Sequence, residues 1–487
     1  MNIKTDIIVL GAGYAGLTAS ALLAHEGKDT VLLESHDTLG GCASFFRKGQ
    51  YTFDVGATTF SGVKPEQPVG RVFRHLGLTP NLVQQDPGII VRMHHGDVLR
   101  WADKDRWITE AQKHFSGDQQ GFWNQQYRIE RRVWDLVGSS EAIPPTSVRD
   151  VLKLIRPRML RGLALLPGMI RPVSVLADKW NVHGSRFDDF LREQLLISTQ
   201  NDAEHAPYLT GAMGLTYPSE TYYPMGGMVR PALMLMRHAT SKGASVQFRR
   251  VVQNIEQRGN QWLITCSSGD VYTANTVVSS IPIWNMGELT HGRVRTYFEA
   301  KAKKHHRSWC ALTMYFALDG TPDLASTYVQ LFLDEEIPYV HSHSVFLTVS
   351  PKADVEKAPA GHCTVTVSTH AESADWIGLS QEETTRRKHL VMNALMQIID
   401  RRMPEFAGMK RIHLEGGTPA TWEHYTRRFH GYVGGVPHDV QSPLIMMPPN
   451  QTPFTGLYMI GDSVFPGQGT PAVMLGAWNT VRRIFAS

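Results

Sequence analysis

Cysteine is scarce: Cys42, Cys266, Cys310 and Cys363 are the four in a chain of 487 residues. They are far apart and show no C-x-x-C spacing, so a disulfide framework has no support and buried thiols in a reducing compartment are expected. Charge of either sign is sparse too, with 19% charged residues and a net charge of +4. An excess that small argues against a nucleic-acid binder unless it is concentrated on one face. No apolar run approaches the ~18 residues that a spanning helix needs. The N-terminus lacks a basic segment followed by a long apolar run. A cytoplasmic protein is therefore expected, attached at most to the cytoplasmic face of a membrane. Neither H-E-x-x-H nor G-x-S-x-G occurs, and no internal repeat is visible. His341 and His343 fall on one face of a strand without a third ligand at characteristic spacing, so no metal site is expected.

What is present is organised from the first residues. Ile7 to Leu10 is an apolar run too short for a helix and reads as a buried parallel strand. Gly11 makes a tight turn, Gly13 keeps a side chain away from a pyrophosphate, and Gly16 lets the next helix lie close to the sheet. That helix, from Tyr14 to about Glu26, aims free amides and a positive dipole end at phosphate. Thr30 to Leu33 is a second strand, and Glu34 closes it where a carboxylate accepts from ribose hydroxyls. An acid there disfavours a 2′-phosphate, so NADP is not expected. The strand, helix and spaced acid turn a glycine motif into a dinucleotide-binding unit. Gly40-Gly41 continues the close backbone approach, and Gly56 breaks the alternating strand Tyr51 to Thr59 where the backbone passes near a ligand.

On these residues, and on Phe53-Asp54-Val55-Gly56-Ala57-Thr58, the chain resembles the FAD-dependent carotenoid desaturases and isomerases, the phytoene desaturase group within the amine-oxidase-like flavoproteins. Three later blocks carry the same resemblance: Tyr223-Pro-Met-Gly-Gly-Met228, Thr418 to Pro437 with its Trp-x-x-Tyr-Thr-Arg, and Tyr458-Met-Ile-Gly-Asp462 followed by Pro466-Gly-Gln-Gly-Thr-Pro471. The resemblance implies FAD as cofactor. It implies contacts from Gly11, Gly13, Tyr14, Ala15, Gly16, Glu34, Ser35, Gly40, Gly41, Cys42, Ala43, Gly56, Ala57, Thr58, Val251, Gly461, Asp462, Gly469, Thr470, Pro471 and Ala472. Asp462 resembles the residue that holds the ribityl and phosphate portion. Many relatives carry arginine where this chain has Cys42, so a backbone group or another basic side chain is expected to meet the pyrophosphate.

The implied fold is α/β, a Rossmann-type FAD-binding domain interleaved with a substrate domain of antiparallel sheet plus helices, as in amine oxidases and GDP-dissociation inhibitors. Residues 1–85, 223–282 and 411–487 are expected to build the cofactor domain. A helical cap is expected over 86–222, with the tryptophans there as packing, and the substrate sheet and a long helix from Gln381 to Arg402 over 283–410. Val151 to Ala177 is basic, leucine-rich and free of acids from Lys153 to Arg171. It suits the surface of an anionic bilayer, and equally a cap helix with solvated arginines.

The implied activity is desaturation of a carotenoid or related lipophilic polyene, with hydride passing to flavin N5 and a proton leaving the neighbouring carbon. The alternatives are a cis/trans isomerase using reduced flavin without net oxidation, a flavin amine oxidase, and a non-catalytic binder of prenylated proteins. Glu220, Tyr222, Glu423, His424 and Tyr425 border the expected cavity, but no residue is assigned as catalytic.

Overall fold

The computed structural model describes residues 2–137 and 165–486, together with Pro145 and Gly162. Ser245–Gln247, Thr30–Leu33, Ile7–Leu10, Thr276–Ser279 and Leu457–Met459 pair in that order into a five-stranded sheet, parallel throughout. Ile7–Leu10 and Thr30–Leu33 are buried at every position, which is why they are unbroken apolar runs instead of alternating ones. The helices Tyr14–His25, Val229–Ser241 and Thr470–Ala486 pack beside one another on this sheet. Met474 and Val481 of the last helix are buried, whereas Phe485 near its end is exposed with Lys28 Nζ over its ring.

A seven-stranded sheet forms the second layer, in the order Arg411–Gly417, Cys310–Leu318, Cys363–Ala371, Ser344–Val349, Tyr328–Phe332, Ile89–Met93, Gly96–Arg100. Only the Tyr328–Phe332 to Ile89–Met93 pairing is parallel. Gln381–Arg402 is the long helix behind it, burying Val391, Leu395, Ile398 and Ile399. Ser380 Oγ accepts from Glu383 N, with Glu382 and Glu383 in the first turn and Arg401 and Arg402 in the last, matching the helix dipole at both ends. The chain enters this sheet at Ile89, within the stretch expected to be a helical cap. At the far end Arg411–Gly417 still belongs to it, so the return to the cofactor layer comes at Thr418. Trp107 and Trp123 are packing residues: both are fully buried, and the buried Arg100 guanidinium lies over their rings at 4.1 and 5.0 Å. Most of the basic stretch from Val151 lies outside the described residues. At its described end Leu166 and Ile170 are exposed. Among the described residues no helix is long and apolar enough to cross a membrane.

Two of the blocks that carried the resemblance meet in one buried knot. Asp54 Oδ2 accepts from Lys357 Nζ at 2.8 Å and its Oδ1 from Met228 N at 3.0 Å, while Tyr14 Oη donates to Met228 O. Gly227 has φ +83° and a Cβ there would lie 2.6 Å from Asp54 Oδ1. The paired glycine is thus needed to let the carboxylate approach the backbone, which ties the cofactor layer to the sheet through Lys357.

Candidate functional site

A cavity of about 1660 Å³ runs between the two layers. Every residue expected to contact the cofactor lines it except Gly16. A Cβ on Gly16 would sit 1.9 Å from Gly11 O, so this glycine serves the close packing of helix on turn. Gly13 differs: a Cβ there would meet nothing nearer than Gly41 Cα at 4.0 Å, leaving open space against the helix start. Gly13 caps the Tyr14–His25 helix without a side-chain hydrogen bond, so the first amides are free for an anion. Gly40 N donates to Ala12 O at 2.8 Å and holds the second glycine pair against the first. Tyr14 contributes backbone only, because its ring is buried and its hydroxyl is used by Met228.

Glu34 stands at the end of its strand, where Ala12 N donates to Oε2 at 2.6 Å and His36 N to Oε1 at 2.8 Å. Ser35 Oγ donates to the same Oε1 at 3.1 Å. Val251 lines the cavity beside it, and its carbonyl accepts from Ser267 N at 2.8 Å. Gly56 owes its lack of a side chain to protein contacts: a Cβ would fall 2.6 Å from Trp422 Cη2 and 2.7 Å from Cys42 O.

At the opposite wall Asp462 is held by a residue the sequence pattern passed over. Arg428 Nη2 lies 3.0 and 2.8 Å from the two Asp462 carboxylate oxygens, and its Nε donates to Tyr432 O. The guanidinium is 11% exposed and lines the cavity with Cys42 and Gly41. Burial pushes the Cys42 thiol up, against the pull of the neighbouring Arg428 cation, so Cys42 is a small neutral wall residue. Arg428 is thus a basic side chain beside Cys42 on the cavity wall. Arg427, which completes the Trp-x-x-Tyr-Thr-Arg run, instead takes φ +56° to end the Pro419–Thr426 helix. Room beside Gly13, free helix amides, an acid at the end of the next strand and a cation on the opposite wall together fit a dinucleotide.

The rest of the cavity is of another character. Leu209, Met213, Tyr217, Phe346 and Leu444 line it, with Ser344, Ser368 and His370 from the sheet and Ser342 just before the strand Ser344–Val349. Behind that polar strip sits Glu193, 1% exposed, with Ser342 Oγ and Ser344 Oγ each 2.7 Å from Oε2. Gln330 Nε2 donates to Ser344 Oγ at 3.0 Å, Gln194 Nε2 to Gln330 Oε1, and Arg100 Nη1 to Gln194 Oε1 at 2.8 Å. A hydrogen-bonded chain thus joins a buried guanidinium to a buried carboxylate beneath the cavity floor. Burial holds the His370 imidazole down at about 4, so it is neutral.

Of the bordering residues singled out from sequence, His424 and Tyr425 line the cavity mouth. Glu220 and Tyr222 do not. Glu220 pairs with Lys64 and Gln67, and Glu423 Oε1 accepts from His430 N at 3.1 Å. His341 is engaged by Asp375, 2.6 Å from its Nε2.

A family model described as flavin containing amine oxidoreductase matches residues 14–484. Prolycopene isomerase 1, chloroplastic, of an Oncidium hybrid cultivar is 26% identical over 501 residues, spanning 99% of this chain and 84% of its own. The 1-hydroxycarotenoid 3,4-desaturase of Flavobacterium sp. (strain P99-3) is 21% identical over 492 residues, spanning 96% and 97%. Among solved structures, an oxidoreductase from Methanosarcina mazei shares the fold with a TM-score of 0.63 across 100% of both chains, at 14% identity.

Proposed function

Because the chain belongs to the flavin-containing amine oxidoreductases, we propose that it is an FAD-dependent enzyme acting on a carotenoid or related lipophilic polyene. The observation that carries this reading is the size and division of the cavity. Its 1660 Å³ exceeds the roughly 300–1,000 Å³ of an ordinary ligand pocket, enough for a dinucleotide and a second, long ligand together. One half offers glycine backbone, Glu34, Arg428 and Asp462; the other offers an apolar lining with a single polar strip. The relatives named for carotenoid chemistry support the same substrate class.

In this reading Gly13 and the free amides of the Tyr14–His25 helix take the pyrophosphate, Glu34 the ribose, and Asp462 with Arg428 the ribityl and phosphate portion. Thr470 to Ala472 place the start of the last helix at the far end of the cofactor. When bound, FAD supplies a two-electron acceptor for hydride. The protein's part is binding, orientation and electrostatics. The apolar half excludes water and aligns an extended chain. Glu193, 3.3 Å from Arg192 Nε and hydrogen-bonded by Ser342 and Ser344, fixes the polar strip from behind. His370 is a neutral imidazole within the same strip, and its burial disfavours protonation, so it acts there as a hydrogen-bonding wall group.

Isomerisation without net oxidation is the second reading, favoured because the relatives at 26% identity are named prolycopene isomerases whereas the desaturases lie at 21–22%. Pigment analysis after expression in a host that accumulates phytoene and its partly desaturated products separates the two. Loss of two hydrogens with a red-shifted product supports desaturation, and a changed isomer pattern at constant mass supports isomerisation. Untouched polyenes with a yellow protein would overturn the substrate assignment. We also propose a cytoplasmic enzyme that meets its oily substrate at a membrane surface through the basic stretch Val151 to Ala177. Neutralising Arg156, Arg158 and Arg161 together is expected to weaken co-sedimentation with anionic liposomes, and unchanged sedimentation would refute attachment by this stretch.

A further inference from the structure

On the side of the parallel sheet away from the dinucleotide turn, three helix ends bring their imidazoles together. His25 is the last residue of the first helix and Glu26 its C-cap, His75 ends the Pro68–His75 helix, and His238 lies in the last turn of Val229–Ser241. His75 Nε2 is 3.1 Å from Glu26 Oε1, and the ligand atoms of His25, Glu26 and His75 all lie within 4.8 Å of one another. His25 Nδ1 is 3.0 Å from His238 Nε2, and the two rings stack at 5.1 Å. His75 stands edge-on to Trp478 at 5.1 Å, which fixes its ring.

We propose that His25, Glu26 and His75 bind a divalent transition-metal ion of the zinc type, with His238 orienting His25 from behind. Nitrogen and carboxylate donors at about 2.0–2.2 Å on a tetrahedral ion stand about 3.4 Å apart. The observed spread therefore needs side-chain closure of little more than 1 Å. Two imidazoles and a carboxylate are a borderline donor set that suits zinc over magnesium or calcium. A metal-bound histidine normally gives its other ring N–H to an acceptor that sets its tautomer. His238 Nε2 is placed to be that acceptor, leaving His25 Nε2 for the ion. The negative ends of three helix dipoles add to the attraction for a cation. His75 and Glu26 are 38% and 45% exposed, so an ion reaches them from solvent. The bound ion would clip the ends of two helices, Tyr14–His25 and Pro68–His75, with Val229–Ser241 joined to them through His238.

The test uses the flavin-loaded full chain without a histidine tag, with zinc chloride as the probe and calorimetry as the readout. One ion per chain is expected in the wild type, with its thermal midpoint raised by zinc and restored by a chelator. His75→Ala and Glu26→Gln should each remove that site. His238→Phe should retain it at about 10–100-fold lower affinity, the range for loss of an orienting partner. All three positions lie outside the cavity, so unchanged flavin absorbance reports intact folding. Absence of stoichiometric zinc binding in the wild type, or binding unaltered in His75→Ala and Glu26→Gln, overturns the proposal. Equal loss in His238→Phe and His75→Ala would overturn the supporting role of His238.

Discussion

Arg428→Met removes a guanidinium while keeping an unbranched side chain of comparable length in its place. In the wild type both Asp462 oxygens lie within 3.0 Å of Nη2, and the carboxylate is 17% exposed. The substitution strips Asp462 of its counter-ion in a site with little solvent, which costs about 3–5 kcal/mol when a buried pair loses one member. With the cofactor bound, a second loss is expected. A hydrogen bond to a charged group contributes about 1.5–3 kcal/mol, and 1.4 kcal/mol is tenfold, so the FAD dissociation constant should rise about 10- to 150-fold if Arg428 meets the cofactor's phosphates. Ultrafiltration of protein titrated with FAD, read by flavin fluorescence, measures this directly. Cys42→Arg in the Arg428→Met background should recover most of the affinity, because it returns a cation to the same wall. An Arg428→Met protein that binds FAD as the wild type does would refute the assignment of Arg428 to the cofactor. A protein that loses stability but not FAD affinity would confine Arg428 to holding Asp462.

Gly13→Glu should abolish flavin binding while leaving the chain folded, since the new side chain enters the open space beside Gly41; a yellow, fully loaded variant by absorbance would sink the pyrophosphate assignment. Lys357→Met should cost about 3–5 kcal/mol in chemical unfolding, because Asp54 and Lys357 are 4% and 3% exposed; a loss below about 1 kcal/mol would show that the knot contributes little. His438 is held by burial at about 4, against 6.5 for an ordinary imidazole. Its folded pKa is depressed, so its contribution to stability is complete above pH 6.5 and is lost as pH falls through about 4. Its full extent is on the order of 3 kcal/mol. His438→Phe should flatten the fall of the thermal midpoint over that window, and an unchanged slope would refute the assignment.

The cofactor half was legible because its chemistry is local. Gly11, Gly13, Gly16 and Glu34 are fixed by a turn, a helix start and a strand end, all within one supersecondary unit. The long helix Gln381–Arg402 was legible from its length and pattern. Arg428 was hidden because its partner, Asp462, lies on another segment and its neighbour Arg427 fitted the recognisable run. Glu193 was hidden for a related reason: on a helix it looks like any surface acid, and only the fold brings Ser342 and Ser344 over it. Ser368 and His370 carried a usable signal, since positions two apart on a strand share a face. Ile89–Met93 was masked by flanking helical pattern, because its burial on the sheet depends on Tyr328–Phe332, far along the chain. His25, His75 and His238 show no motif spacing at all, since three separate helices deliver them.

The parallel sheet also dictates an order of assembly. Its strands come from residues 7–10, 30–33, 245–247, 276–279 and 457–459, and the last one joins the sheet along Thr276–Ser279. Synthesis runs from the N-terminus at about 5–20 residues per second, so the glycine turn leaves the ribosome well before the strand and helix that complete its cradle. Until then Thr276–Ser279 presents an open edge, a template for unwanted pairing. The nascent chain consequently spends most of its synthesis with a half-built nucleotide site, and pairing of Leu457–Met459 is the late event that covers this edge and completes the cradle.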